Sequence, residues 1–163
     1  MDLYHFTAGQ CLRGIAAHGL TVGDVPTDLW RGTGLVGVWL TSSKVEIGHG
    51  LAGSALDKAR FRLKVDVPEA DLHKWRVWAA TNGTQETVDA LRRANGSSDR
   101  TWFIYFGRVS PDRIVQVVDL ATSSVVSDWQ NCWPVANSRP GVRFEDRFSW
   151  HERLLQNVRS KVQ

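Results

Sequence analysis

The sequence predicts a single α+β domain built on a mainly antiparallel sheet with short flanking helices. Strand-like runs outnumber helical ones, and most lack the regular helical crossovers that a parallel sheet requires. The chain's 163 residues, 42% hydrophobic and 23% charged, suit one domain that buries roughly two-thirds of its unfolded surface. No internal repeat or low-complexity tract is present, and the longest polar loops, residues 97–100 and 136–141, are too short to link domains. Residues 1–163 are therefore expected to form one unit.

Leu3-Tyr4-His5-Phe6-Thr7 opens the chain as a short strand. Period-two geometry places Leu3, His5 and Thr7 on one face and Tyr4 and Phe6 on the other. A helix is expected at once: Thr7-Ala8-Gly9-Gln10 has capping-box form, Leu12 and Ile15 give an apolar stripe, and Gly19 supplies the stop. Residues 21–34 carry Gly23, Pro26, Gly32 and Gly34 and read as an irregular loop. The next strand, residues 36–41, turns Val36, Val38 and Leu40 to the core and leaves Trp39 and Thr41 on the opposite face. Ser43-Lys44-Val45-Glu46 is a second capping-box pattern, opening a glycine-rich helix through about Asp57.

Residues 59–67 alternate cleanly, with Phe61, Leu63, Val65 and Val67 inward and Arg60, Arg62, Lys64 and Asp66 outward. That pattern is a half-buried strand with a basic outer face, ended by Pro68. Residues 71–80 are ambiguous between helix and strand. Trp75 and Trp78 there suit burial against the sheet or stacking on a base. Residues 84–94 read as a helix stopped near Gly96. Residues 101–106 and 113–120 read as two strands joined by a hairpin-like turn at 107–112. Ser149-Trp150-His151-Glu152 is a third capping-box pattern, opening a short helix with Leu154, Leu155 and Val158.

Composition narrows the function classes. No apolar run approaches the ~18 residues of a membrane span and no charged-then-apolar leader is seen, so a cytoplasmic protein is expected. Cys11 and Cys132, the two cysteines, can neither build a disulfide scaffold nor fill a four-cysteine zinc site. The histidines lack HxxxH or HExxH spacing, so no metal site is expected. No GxGxxG follows a strand and no Walker-type loop is present, which argues against a Rossmann dehydrogenase or a P-loop enzyme. A net charge of +3 and a pI near 9.1 suit a nucleic-acid partner without requiring one. Eight tryptophans suggest stacking surfaces as well as core.

Three pieces stand in a telling order: a strand bearing His5 that runs into a helix; Gly37-Val38-Trp39-Leu40-Thr41-Ser42-Ser43; and Asp99-Arg100-Thr101-Trp102-Phe103-Ile104-Tyr105. This arrangement resembles the diphtheria-toxin-like side of the ADP-ribosyltransferase superfamily, which includes the poly(ADP-ribose) polymerases. The opening strand and the helix ending at Gly19-Leu20 are similar to the DNA-modifying ADP-ribosyltransferase toxins. The likeness is confined to about residues 3–118, in the stretches 3–20, 37–55 and 101–118, and leaves the tail at 121–163 unassigned. The resemblance implies a split sheet, NAD as substrate without a metal, and a macromolecular acceptor, with DNA or RNA favoured by the basic charge. An antitoxin or target protein is a further implied partner, and a toxin or phage-defence role an implied context.

By the resemblance, His5 holds the nicotinamide-side ribose and Trp39 replaces a family tyrosine as the wall of the nicotinamide pocket. His49 lies near the family's second stacking ring. The candidate NAD-binding set is His5, Thr7, Arg31, Trp39, Thr41 and His49; the candidate catalytic set is His5, Trp39 and Thr101. Thr101 falls where the family carries a glutamate that steadies positive charge as the glycosidic bond opens. Threonine carries no such charge, and Asp99 and Glu145 are the candidate replacement acids. Glu46 and Glu152 sit where capping boxes put them, and Glu86 where a helix dipole favours a carboxylate. Two alternatives stand beside transfer: an inactive module that binds NAD or nucleic acid, and an NAD-dependent RNA 2′-phosphotransferase or N-glycosidase-like enzyme.

Overall fold

The computed structural model describes residues 1–162. β1 (Leu3–Thr7) forms where expected, and its alternation places Leu3, Tyr4, Phe6 and Thr7 all in buried surroundings. Both its faces are covered, as befits a central strand. The seven-stranded sheet runs β6-β7-β4-β1-β5-β8-β9: β6 (Leu72–Lys74), β7 (Trp102–Tyr105), β4 (Val38–Thr41), β1, β5 (Phe61–Val65), β8 (Ile114–Asp119) and β9 (Ser124–Val125). Every neighbouring pair is antiparallel. The fold is an α+β domain on a mainly antiparallel sheet.

Residues 21–34 do not form an irregular loop. β2 (Asp24–Asp28) and β3 (Thr33–Val36) pair as a separate two-stranded sheet whose register shifts between Pro26 and Asp28. Such a shift accommodates the proline and glycine content that suggested a loop. The helix expected over 43–57 is absent. His49, Gly48, Gly50 and Gly53 all have positive φ, a conformation that right-handed helix excludes, and the Ser43 hydroxyl accepts from Val45 N–H at 3.2 Å in a local turn. The strands at 102–105 and 114–119 are not a hairpin either, since β4, β1 and β5 lie between them. Their connection is drawn across to the chain after the first helix, where Leu20 and Val109 exchange backbone hydrogen bonds of 2.9 and 3.0 Å.

The helices follow the apolar spacing better than the capping signals. α1 (Leu12–His18) buries Leu12 and Ile15 and ends at Gly19, φ 82°. A 3₁₀ turn over Gly9–Cys11, capped at Ala8 without a side-chain bond, precedes it. Thr7 belongs to β1 and caps nothing. α2 (Trp75–Asn82) resolves the ambiguity at 71–80, following β6 directly. α3 (Gln85–Asn95) is capped by Thr84, whose hydroxyl accepts from Thr87 N–H. α4 (Arg147–Val162) starts before the Ser149 pattern and extends 16 residues. None of these helices is long and apolar enough to cross a membrane.

Two apolar clusters divide the sheet. Leu3, Leu63, Val117, Val38 and Leu40 pack on α1 residues Leu12 and Ile15. Trp75, Ala79, Trp102, Ile104 and Val25 form the other. Trp75 is 1% exposed and Trp78 packs on Phe106 at 5.6 Å, so neither is an open platform for a base. The basic row of β5 is largely spent: Arg60 pairs with Asp119 at 2.8 Å, Lys64 with Asp2 at 2.9 Å, and Arg62 donates to the Lys44 carbonyl at 3.0 Å.

The tail after residue 121 is an integral part of the fold. Arg13 Nε donates to the Trp133 carbonyl at 2.9 Å, Arg139 N–H to Gln10 at 2.8 Å, and Thr21 Oγ1 to Val142 at 2.6 Å. Backbone meets backbone at two glycines: a Cβ on Gly14 would lie 2.6 Å from the backbone of Gly141. Alanine at 14 would gain ~1 kcal/mol of helix propensity but lose ~1–3 kcal/mol to overpacking against backbone. Gly14→Ala is therefore expected to lower the urea midpoint and to speed proteolysis within residues 133–146; an unchanged midpoint would show that the tail does not press on α1.

Candidate functional site

The sheet parts between β1 and β4. β1 matches β5 at five pairs from Leu3–Val65 to Thr7–Phe61, whereas it meets β4 at Tyr4–Thr41 alone. Beyond that pair the His5 side chain replaces the ladder, its Nδ1 bonding the Trp39 carbonyl at 2.9 Å. His5 and Trp39 lie on opposite pleat faces: Tyr4 is in register with Thr41, so Trp39 shares the Tyr4 face and His5 takes the other. Their joint position comes from the gap between the strands. A cleft of about 780 Å³ opens there, within the ~300–1,000 Å³ range of small-molecule sites.

A carbonyl oxygen accepts only, so His5 Nδ1 carries the proton and Nε2 is left as a lone-pair acceptor with no protein partner among the described residues. Burial pushes the His5 pKa below the ordinary histidine value, an effect partly offset by the Trp39 carbonyl and reinforced by Lys58. His49 is fixed in the opposite tautomer. The Trp102 indole N–H, a donor only, donates to His49 Nδ1 at 2.8 Å, so Nε2–H donates to the Val45 carbonyl at 2.9 Å. Burial lowers the His49 pKa too, partly offset by that carbonyl. The His49 ring stacks on Phe6 at 5.6 Å and 10°. Trp39 is held by its indole N–H, which donates to the Asp24 carbonyl at 2.8 Å, and by edge contact with Trp102 at 5.6 Å.

Of the sequence-predicted residues, the cleft brings together His5, Thr7, Trp39, Thr41 and His49. Arg31 stands outside its lining, its side chain 85% exposed and 3.7 Å from Asp28. Thr101 also lies outside the lining and one residue before β7. Its hydroxyl donates to the Ser98 carbonyl at 2.9 Å and so accepts from Thr41 Oγ1 at 2.8 Å. Thr41 in turn accepts from Ser43 N–H. The pair closes a structural chain.

Asp99 and Glu145 are not in the cleft. Asp99 is 1% exposed and ties α2 to α3 through Arg76 at 2.7 Å and Arg92 at 3.4 Å. Glu145 is exposed, 3.7 Å from Arg143. Among the described residues the one carboxylate lining the cleft is Asp24, bonded to His151 Nε2 at 2.7 Å. Sequence reasoning missed both: Asp24 lay inside the supposed loop at 21–34, and His151 sat inside a supposed capping box. Lys58 and, from the tail, Arg139 are the cleft's cations.

No family model, no curated protein and no solved structure matches the chain.

The two depressed histidines make a pH prediction. Below the ordinary histidine pKa of ~6.5 the unfolded chain takes up protons that folded His5 and His49 resist. Stability is therefore complete above that value and falls on acidification through it. The urea midpoint is expected to drop between about pH 7 and about pH 5, less steeply in His49→Gln. A midpoint that rises on acidification would contradict the neutral assignment.

Proposed function

We propose that the chain is a mono-ADP-ribosyltransferase: it takes NAD as substrate, releases nicotinamide and transfers ADP-ribose to a macromolecule, with nucleic acid the favoured acceptor. The observation that carries this reading is His5, set at the parting of β1 and β4 with Nε2 free to accept a hydroxyl. A ribose hydroxyl donating to Nε2 would be held in one orientation beside the Trp39 ring, which supplies a flat wall for nicotinamide. Phe6, His49 and Trp102 add aromatic surface that keeps water from the ribose carbon. Excluding water matters because the glycosidic bond opens through an oxocarbenium-like state that water would intercept. Lys58 and Arg139 give the diphosphate two cations.

Nucleic acid is favoured by the tip of the β2–β3 hairpin. Trp30 is 71% exposed and adjoins Arg31, next to Leu29 on the cleft lining. A base stacked on an exposed indole with its phosphate on the neighbouring guanidinium is the common single-strand contact, and it would bring an acceptor to the cleft mouth. This gives Arg31 an acceptor role in place of NAD binding.

A second reading, a module that binds NAD without chemistry, is favoured by the engaged hydroxyl of Thr101, which leaves no reactive group at that position. One experiment separates the two. Incubation with labelled NAD and separate pools of DNA, RNA and lysate protein is expected to label a nucleic-acid pool and release nicotinamide. His5→Ala should cut that release by roughly 100-fold, the scale of a mispositioned substrate. NAD binding in a calorimeter with no turnover on any pool would favour the binding module. Neither binding nor turnover would remove both.

A further inference from the structure

We infer that Asp24 is the acid of this cleft, and that His151, from the tail, is its positioning residue. The inference rests on the transferase reading and supplies what that reading lacks, a negative charge beside the opening glycosidic bond. Asp24 is the one carboxylate among the described residues lining the cleft. Its side chain is 33% exposed, with Oδ1 bonded to His151 Nε2 at 2.7 Å. Its backbone carbonyl accepts the Trp39 indole N–H at 2.8 Å. The residue is thus fastened at both ends, once to the proposed nicotinamide wall and once to α4. Asp24 and Trp39 line the same cleft, joined through the Asp24 backbone carbonyl, so the carboxylate belongs to the residue that holds the proposed nicotinamide wall.

His151 is itself 6% exposed, buried in the first turns of α4. That helix is anchored on either side of it. Arg147 donates to the Phe106 carbonyl at 2.7 Å, and Arg159 to the Gly32 carbonyl at 3.1 Å. A buried polar ring whose nitrogen reaches a cleft carboxylate orients that carboxylate at fixed cost to folding, and removing it would free the Asp24 rotamer.

The chemistry balances without a further reactant. The C–N bond between nicotinamide and ribose breaks with its electron pair passing to the ring nitrogen, which discharges the pyridinium and gives neutral nicotinamide. The acceptor's nucleophilic atom forms a bond to the ribose carbon, and its proton passes to Asp24 and then to water. While the carbon carries positive charge, the carboxylate steadies it. The late strand need carry no acid for this, since the charge is delivered from the β2–β3 hairpin.

Asp24→Asn is expected to lower nicotinamide release by roughly 10²–10³-fold, the scale of a lost electrostatic stabiliser, while calorimetric NAD affinity and the thermal midpoint stay near those of the parent chain. In Asp24→Ala, added formate should restore part of the rate, which a purely structural role would not allow. His151→Leu should lower kcat with KM unchanged, and His151→Gln, which keeps an N–H donor, should recover most of it. If Asp24→Asn fails to fold, the His151 pair alone decides the matter. Full kcat in Asp24→Asn, no formate rescue, or full kcat in His151→Leu would each overturn the assignment while leaving the transferase reading intact. An inactive parent chain would overturn both.

Discussion

The structure depends on one substitution of side chain for backbone. β1 is paired fully with β5 and then leaves β4 after Tyr4–Thr41. A central strand that abandons one neighbour exposes backbone acceptors, and an unpaired buried carbonyl costs ~1–3 kcal/mol. His5 satisfies the Trp39 carbonyl in the ladder's place. The same bond fixes the imidazole tautomer and leaves Nε2 without a protein partner. A hydrogen bond that repairs the sheet thus also leaves, among the described residues, one free histidine nitrogen on a residue that lines the cleft.

The second wall is held by rings that spend their polar atoms on each other. Trp102 commits its N–H to His49, His49 commits its proton to Val45, and Trp39 commits its N–H to Asp24. Each donor has an acceptor, and Trp102 meets Trp39 at 5.6 Å and His49 at 6.5 Å, a range in which aromatic pairs add ~0.5–1.5 kcal/mol beyond their buried area. The wall is therefore rigid and apolar towards the cleft. His49 reaches this position with φ at 58°, a backbone state that costs ~1–3 kcal/mol for a non-glycine residue. Its bonds to Trp102 and Val45 and its stack on Phe6 oppose that cost.

Local pattern made part of this legible. The alternation at 59–67 marked β5, the run at 84–94 stopped near Gly96 marked α3, and the order of motifs behind the resemblance singled out His5 and Trp39, which line one cleft. Signals failed where distant contacts or backbone sterics outweighed them. Positive φ at residues 48–50 and at Gly53 defeated the helix expected from the capping box at Ser43. The pairing of β7 with β4 and of β8 with β5, set by the whole sheet, defeated an inferred hairpin. Asp24 and His151 lie 127 residues apart, and nothing in the pattern of either segment marks the other. Thr101 shows the converse limit: the resemblance put it where an acid is expected, yet its hydroxyl closes a chain with Thr41 and Ser98.

The cleft is assembled last, in the sense that its parts come from both ends of the chain. β1 and β4 supply the histidine and the tryptophan, the β2–β3 hairpin the carboxylate, and residues 139–142 with Trp150 the outer wall. The tail has few apolar anchors of its own: Trp129 and Leu155 are buried, but Val125, Val135 and Phe148 are exposed. It is held instead by bonds to α1, to Thr21 and to the hairpin, with Gly14 and Gly141 in contact. Segments secured by a few hydrogen bonds open locally at lower free energy than a core sheet. Loosening of residues 133–151 would withdraw Arg139 and His151 together while leaving His5 and Trp39 in place. The cleft's electrostatic half can therefore be lost while the sheet that shapes its aromatic half stays folded.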